Sequence, residues 1–344
     1  ETKGVACCMK DLVSVIVPAY QEEKRIGRCL QSILASTYQR LQVIVVNDGS
    51  TDDTAKIVSS FKRNRESESV SIELVNICNG GSGRARNHGL RRAKGEYISF
   101  VDADDMIHPQ MIERLVLSLQ NGSDMASCSL VFCNESGRGR RYQHHRRQRV
   151  VCPVQALKMA MWDQIQMNLG PVLFRKEKIF AEEGKLSVFC PEDVAGFEDF
   201  AFVCEYLKQC NGIWEVLPFH GYFYCRRKGS QTYREWSAEE LSHALQPVLA
   251  VGMGMHDENF ISHKLQYTFR FMAFWYERAC RCSRYTFTPD CIDWKICMRE
   301  LNRFADVYMK SSDVAWYRKL AVRIVRRHTR TGWLLAKTIG RIVF

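Results

Sequence analysis

Tyr97-Ile98-Ser99-Phe100-Val101-Asp102-Ala103-Asp104-Asp105 is a short apolar run that breaks into three carboxylates within four residues. Ile98, Phe100 and Val101 read as a buried strand, β-branched and aromatic, bounded by Gly95 and by His108-Pro109. Carboxylates at the C-terminal end of such a strand stand where open α/β sheets bind ligands. Three of them repel one another unless a cation or donor groups compensate, and hard divalent metals take oxygen ligands of this kind. The alternative is a helix cap, with Asp104 or Asp105 heading a helix from about Pro109. Capping accounts for one carboxylate and leaves two, so the stretch points to a metal and phosphate site.

The flanking sequence supplies the sheet. Val13 to Val17 is a β-branched strand ending at Pro18-Ala19-Tyr20, and Lys24 to Ser36 reads as an amphipathic helix with Ile26, Leu30, Ile33 and Leu34 on one stripe. A second strand, Gln42 to Val46, ends at Asn47-Asp48-Gly49-Ser50-Thr51-Asp52-Asp53, where Ser50 or Thr51 caps the next helix. A third strand covers about Ser71 to Ile77. It leads into the Gly-rich stretch Asn79 to Gly89 and then a short helix up to Gly95. Strand and helix alternate four times, and each strand ends in polar residues. The expected fold is α/β, a doubly wound, mostly parallel sheet flanked by helices, with a binding crevice along its C-terminal edge.

Two nucleotide folds are excluded. The first strand is followed by Pro-Ala-Tyr-Gln-Glu-Glu, with no glycine for a close backbone approach. The later Gly81-x-Gly83-x-x ends on Arg86, so a dinucleotide fingerprint is missing, and no P-loop is present.

Four segments carry a family resemblance. They are Val-Ser-Val-Ile-Val-Pro-Ala-Tyr-Gln-Glu-Glu (Val13 to Glu23), Val-Val-Asn-Asp-Gly-Ser-Thr-Asp (Val45 to Asp52), Gly-Gly-Ser-Gly-Arg-Ala-Arg-Asn-His-Gly (Gly80 to Gly89) and Gly-Glu-Tyr-Ile-Ser-Phe-Val-Asp-Ala-Asp-Asp (Gly95 to Asp105). In this order and spacing they resemble family 2 glycosyltransferases with the GT-A fold. The resemblance is strong over residues 13 to 105 and extends more weakly to about 235. It implies a GT-A glycosyltransferase domain over 11–235 and a helical C-terminal region over 236–344.

The resemblance also implies roles. Pro18, Tyr20 and Glu22 line the nucleoside pocket, with Gln21 standing where relatives carry Asn. Asp48 accepts hydrogen bonds from the uracil, which suits an acceptor-only group after the second strand. Asn79 and Arg86 approach the nucleotide from the Gly-rich stretch, and Arg84 either joins them or faces solvent. Asp102-Ala103-Asp104 matches the DxD motif. Asp104 is then the metal ligand, Asp102 contacts the ribose or a metal-bound water, and Asp105 holds the sugar or caps the helix. The implied cation is Mn²⁺ or Mg²⁺, bridging the diphosphate of the leaving group.

In the second half, Gly170 to Lys176 resembles the segment leading back to the active site, and Gly196-Phe197-Glu198-Asp199-Phe200 precedes a helical pattern from Phe202 to Cys210. The Glu198-Asp199 pair suits a helix dipole, but in the family the Asp is the general base. Asp199 would deprotonate the acceptor hydroxyl for a single inverting displacement. Arg227 and Ser230, after a strand-like Tyr222 to Tyr224, match residues that close over the diphosphate; the earlier Arg of relatives is Cys225 here.

Composition bounds the rest. The formal charge of +11 favours acidic partners, and much of it lies in Arg138 to Arg149 and Arg318 to Arg341. The 15 cysteines form no CxxC pair and read as reduced thiols of a cytosolic protein. No apolar run approaches the roughly 18–20 residues that cross a bilayer. Residues 1 to 10 lack the layout of a secretory signal, and the absence of an initial Met suggests a trimmed N-terminus. Towards the C-terminus, Leu320, Val322, Ile324, Val325, Trp333, Leu334, Leu335, Ile339 and Ile342 alternate with Arg and Lys. That pattern fits either a peripheral helix on the anionic inner face of the cell membrane or packing against the catalytic domain.

The expected activity is transfer of a sugar from a UDP-sugar to a hydroxyl of a glycan or lipid-linked glycan in cell-surface polysaccharide assembly. The rival is a non-catalytic nucleotide- or polyanion-binding protein on the same fold. No nucleic-acid reading motif is present, and nucleic acid is not an expected partner.

Overall fold

The computed structural model describes residues 11–134, 139–141, 147–161, 167–181, 184–192 and 198–225, with isolated positions at 309–310, 316, 319–320 and 323. In chain order the elements are β1 (Val13–Ala19), α1 (Ile26–Leu34), β2 (Leu41–Asp48), α2 (Thr54–Arg65), β3 (Val70–Ile77), α3 (Gly81–Leu90), β4 (Tyr97–Phe100), β5 (Met106–Ile107) and α4 (Met111–Gln120). They continue as β6 (Met125–Cys133), β7 (Gly139–Arg141), β8 (Arg149–Val151), α5 (Pro153–Met161), β9 (Val172–Arg175), α6 (Glu198–Lys208) and β10 (Trp214–Cys225).

The strands form one sheet in the order β3-β2-β1-β4-β9-β6-β10-β5, with β7 beside β6 and β8 beside β10. The first four are parallel, as strands separated by helices predict. Beyond β4 the sheet is mixed: β9 runs antiparallel to both β4 and β6, while β6 and β10 are parallel. The chain builds outward from β1 to β3 and then returns to place β4 on the other side of β1. That reversal makes a topological switch point at the C-terminal ends of β1 and β4, the place where open α/β sheets bind ligands.

Both faces of the sheet are covered. On α1, Ile26, Cys29, Leu30 and Ile33 are buried on one stripe, and β2 is buried along its whole length. Phe100 of β4, Phe174 of β9 and Phe202 and Tyr206 of α6 meet edge to face, with ring centroids 4.9 to 6.1 Å apart. Each such pair contributes about 0.5–1.5 kcal/mol beyond area burial. Tyr206 also donates to the Asp124 carbonyl and accepts from the Arg175 N–H. Together these contacts fix α6, whose first turn carries Glu198 and Asp199.

Four local expectations change. Helix α2 begins at Thr54 behind Asp53, so neither Ser50 nor Thr51 caps it. The Gly-rich stretch is itself helical, since α3 starts at Gly81 rather than after Gly89. The acidic pair lies inside α6 rather than ahead of it. The position before α4 is Gln110, so neither Asp104 nor Asp105 caps that helix. The arginine-rich segment contributes β7 and β8, with 142–146 outside the described residues.

By internal contacts one compact unit comprises Glu1–Ala156, Met167–Asp193 and Glu198–Lys228, and it contains the sheet. The second comprises Leu157–Gln166, Val194–Phe197 and Gly229–Phe344, and the helical extension expected from 236 onward lies almost wholly outside the described residues. No described helix is long and apolar enough to cross a membrane.

Candidate active site

Asp48, at the end of β2, is buried, and its carboxylate accepts the Gly80 and Gly81 N–H groups, each at 2.8 Å. These bonds fix the head of α3 despite its poor helix propensity. Gly49 follows in the left-handed region (φ 72°), and a Cβ there would come within 2.8 Å of the Asn79 nitrogen. Asn79 is exposed and donates to the Asp48 carbonyl.

At the end of β1, Pro18 pairs with Val46 and Tyr20 is half exposed. Gln21 has φ 55°, a conformation that costs a non-glycine residue about 1 kcal/mol or more. Its side-chain oxygen offsets this by accepting the Thr51 and Asp52 N–H groups at 3.0 and 3.2 Å. Gln21 therefore ties the β1 turn to the β2 turn. Glu22 is buried, pairs with Arg25 at 2.6 Å, and donates its backbone N–H to Thr54 Oγ1.

The acidic turn after β4 divides into distinct environments. Asp105 is 1% exposed; Oδ2 accepts the Tyr222 hydroxyl and Oδ1 the Cys225 N–H, both at 2.7 Å. Burial first, then Asp104 and Asp102, push its carboxyl well above the ordinary range. Asp102 and Asp104 are half-buried. The Asp102 N–H donates to Tyr222 at 3.2 Å, and the Asp104 carbonyl accepts from Arg28.

Arg86 joins this turn to α6. Its side chain is 5% exposed; Nη2 donates to Asp102 Oδ1 at 2.8 Å and Nη1 to Glu198 Oε1 at 3.0 Å. Asp199 Oδ1 lies 3.2 Å from Nη1. Burial works against the guanidinium charge, but Asp199, Asp102 and Glu198 hold its pKa well above the usual value. Glu198 also accepts Ser82 Oγ at 2.5 Å and is buried. Asp199 is about a quarter exposed (24%), and its Oδ2 accepts the Leu169 N–H at 3.3 Å. Burial pushes its carboxyl up to about 7, with Arg86 opposing and Glu198 and Asp102 adding. A carboxyl ionising there suits proton transfer near neutral pH.

The fold thus gathers Asp48, Asn79, Arg86, Asp102, Glu198 and Asp199 around α3. Arg227 and Ser230 lie outside the described residues. Sequence reasoning missed Tyr222, which binds two members of the acidic turn, and Ser82. A Cβ at Gly170 would come within 2.3 Å of the Tyr222 ring, so the Gly170-Pro171 approach to the site is a signal for Tyr222 only once the fold is known.

Among the described residues no three His, Cys, Asp or Glu side chains are arranged to enclose a metal. Asp102 and Asp104 nevertheless offer hard oxygen donors at the crevice, and Mg²⁺ or Mn²⁺ commonly completes its shell with phosphate oxygens and water. The donor set fits such an ion.

A sequence model described as "Glycosyl transferase family 2" matches residues 14–195. Uncharacterized glycosyltransferase YibD of Escherichia coli is 35% identical over 122 residues, which are 35% of this chain and 34% of that protein. A poly(ribitol-phosphate) beta-glucosyltransferase of Bacillus spizizenii is 37% identical over 226 residues, covering 63% of this chain and 33% of its own. Each alignment therefore spans about a third of the curated relative. The crystal structure of S. aureus TarS 1-349 in complex with UDP-GlcNAc superimposes with a TM-score of 0.70 at 20% identity, covering 96% of this chain and 91% of that one. The fold is of the GT-A type.

Proposed function

The chain belongs to glycosyl transferase family 2, and from that premise we propose that it moves a sugar from a UDP-sugar to a hydroxyl of a glycan or lipid-linked glycan in cell-surface polysaccharide assembly, with inversion. The observation that carries this reading is Arg86, which holds Asp102 of the acidic turn and the Glu198-Asp199 pair in one cluster. Groups suited to the leaving nucleotide and a group suited to the attacking hydroxyl therefore share one side chain. TarS, bound to UDP-GlcNAc, supports a UDP-linked donor. The poly(ribitol-phosphate) glucosyltransferase supports a surface polymer as acceptor.

In this reading Pro18, Tyr20, Glu22, Asp48 and Asn79 form the nucleoside end, with Glu22 and Asp48 acting mainly by fixing the turns. Asp104 would hold Mn²⁺ or Mg²⁺, with Asp102 turned to the ribose or a metal-bound water, and the ion would supply positive charge against the leaving diphosphate. Asp105 acts through Tyr222 and Cys225 rather than on the sugar. Glu198 orients Arg86. Asp199 takes the proton of the acceptor hydroxyl; that oxygen bonds to the anomeric carbon as the bond from that carbon to the UDP oxygen breaks. Arg227 and Ser230 belong to the diphosphate end. The proposed arrangement of the chain is a catalytic domain over 11–235 and a helical region over 236–344, working at the cytoplasmic face of the membrane.

UDP release from a panel of UDP-sugars, with acceptor glycans and Mn²⁺ or Mg²⁺, tests the proposal. Asp199→Asn is expected to lose about 10²–10⁴-fold in turnover while still binding UDP, and EDTA to abolish release. UDP binding without turnover across the panel would favour the non-catalytic reading.

A further inference from the structure

Asn87 is 1% exposed and lies one residue beyond Arg86 on α3. Its side-chain amide takes both backbone groups of Cys190: Nδ2 donates to the carbonyl and Oδ1 accepts the N–H, each at 2.8 Å. Nδ2 also donates to Glu192 Oε1 at 2.9 Å. All of these bonds go to a segment more than a hundred residues away, and none to the helix that carries Asn87. The segment is irregular, and Pro191 has no N–H to offer a strand partner. Asn87 thus supplies the pairing that a neighbouring strand would otherwise give.

A second contact reinforces the first. One turn earlier, a Cβ at Gly83 would come within 2.3 Å of the Pro191 carbonyl oxygen, so glycine lets the segment lie directly on the helix. The buried Cys190 thiol sits close enough to Arg86, Asp199, Glu198 and Asp102 to feel their charges. One short helix therefore grips both the carboxylates at the head of α6 and the chain segment leading towards them.

We propose that Asn87 is a positioning residue that, by clamping residues 190–192 to α3, sets the placement of Glu198 and Asp199 against Asp102. The proposal rests on the reading of Asp199 as the base, and its test separates the two. The whole wild-type chain is compared with Asn87→Ala, Asn87→Asp, Asn87→Asp combined with Glu192→Gln, and Asp199→Asn. Turnover of the UDP-sugar used in the release assay, UDP affinity by calorimetry, and amide hydrogen exchange are measured for each.

Asn87→Ala should lower kcat at least tenfold while the Kd for UDP stays within twofold. Exchange should rise at the Cys190 and Glu192 amides and at those of Glu198 and Asp199. Asn87→Asp keeps the acceptor for the Cys190 N–H but loses both donors and faces Glu192 with a second carboxylate; adding Glu192→Gln returns a donor and should recover at least threefold of the lost turnover. Unchanged kcat, a proportional loss of UDP affinity, or unchanged exchange at the head of α6 overturns the proposal. If Asn87→Ala does not fold, the Asn87→Asp pair decides it. Full turnover in Asp199→Asn would sink the base reading alone, and exchange would still decide the positioning.

Discussion

Asp199 and Arg86 show how one contact serves two purposes. Because burial holds the Asp199 carboxyl up at about 7, the fraction able to accept a proton falls about tenfold per pH unit below that value. Turnover limited by this group should therefore rise with pH and level off above about 7, and a rate flat from pH 5 to 8 would remove Asp199 as the base. The stability sign is opposite: between roughly pH 4 and 7 the folded chain keeps a proton that the unfolded chain has lost, so this group's contribution to folding declines as pH rises through that window. Arg86→Ala would leave three carboxylates facing one another without their cation. Since Asp102 and Asp199 are partly screened by water, a loss of about 3 kcal/mol is expected by urea denaturation, and a loss below about 1 kcal/mol would show that the cluster relaxes without it. The carboxylates themselves were legible, because clustered acids after an apolar strand need compensation. The role of Arg86 was not, because its partners Asp102 and Glu198 stand 16 and 112 residues away along the chain.

At the scale of elements, the four parallel strands were legible because β1 and β2 are runs of buried, largely β-branched residues, β3 alternates buried and more exposed positions, β4 is short and wholly buried, and polar residues follow each. The head of α3 was not: the glycines that open it argue for a loop, and what makes it helical is the Asp48 carboxylate gripping Gly80 and Gly81. The two-residue β5 and the antiparallel insertion of β9 between β4 and β6 were equally hidden, since they are set by pairing across the sheet rather than by local pattern. Asp105 belongs to this level, because it joins the acidic turn to β10 through Tyr222 and Cys225. Asp105→Ala leaves the buried Tyr222 O–H and Cys225 N–H without their acceptors and should cost roughly 2–4 kcal/mol. Asp105→Asn, which retains an acceptor and gains a donor, should cost less than half as much. Equal melting temperatures for the two variants would contradict this account of the turn.

For the whole molecule, the formal charge of +11 is large, and its distribution along the chain is uneven. From 318 to 341 the sequence carries Arg318, Lys319, Arg323, Arg326, Arg327, Arg330, Lys337 and Arg341 with no Asp or Glu, interleaved with apolar residues. Most of this segment lies outside the described residues. Each Lys or Arg near an anionic bilayer contributes about 1 kcal/mol, and the attraction fades within a Debye length of about 10 Å at 0.1 M salt. A transferase acting on lipid-linked glycans gains from such attachment, since it confines enzyme and acceptor to one surface. The full chain is therefore expected to float with vesicles containing anionic lipid at about 0.1 M salt, to remain behind with neutral vesicles, and to be released at about 1 M salt, where the Debye length shrinks to about 3 Å. A chain ending at Ser311 should lose the flotation while keeping UDP binding. Equal flotation of the two chains would move the membrane contact elsewhere, and no flotation of either would leave residues 318–341 without a membrane role.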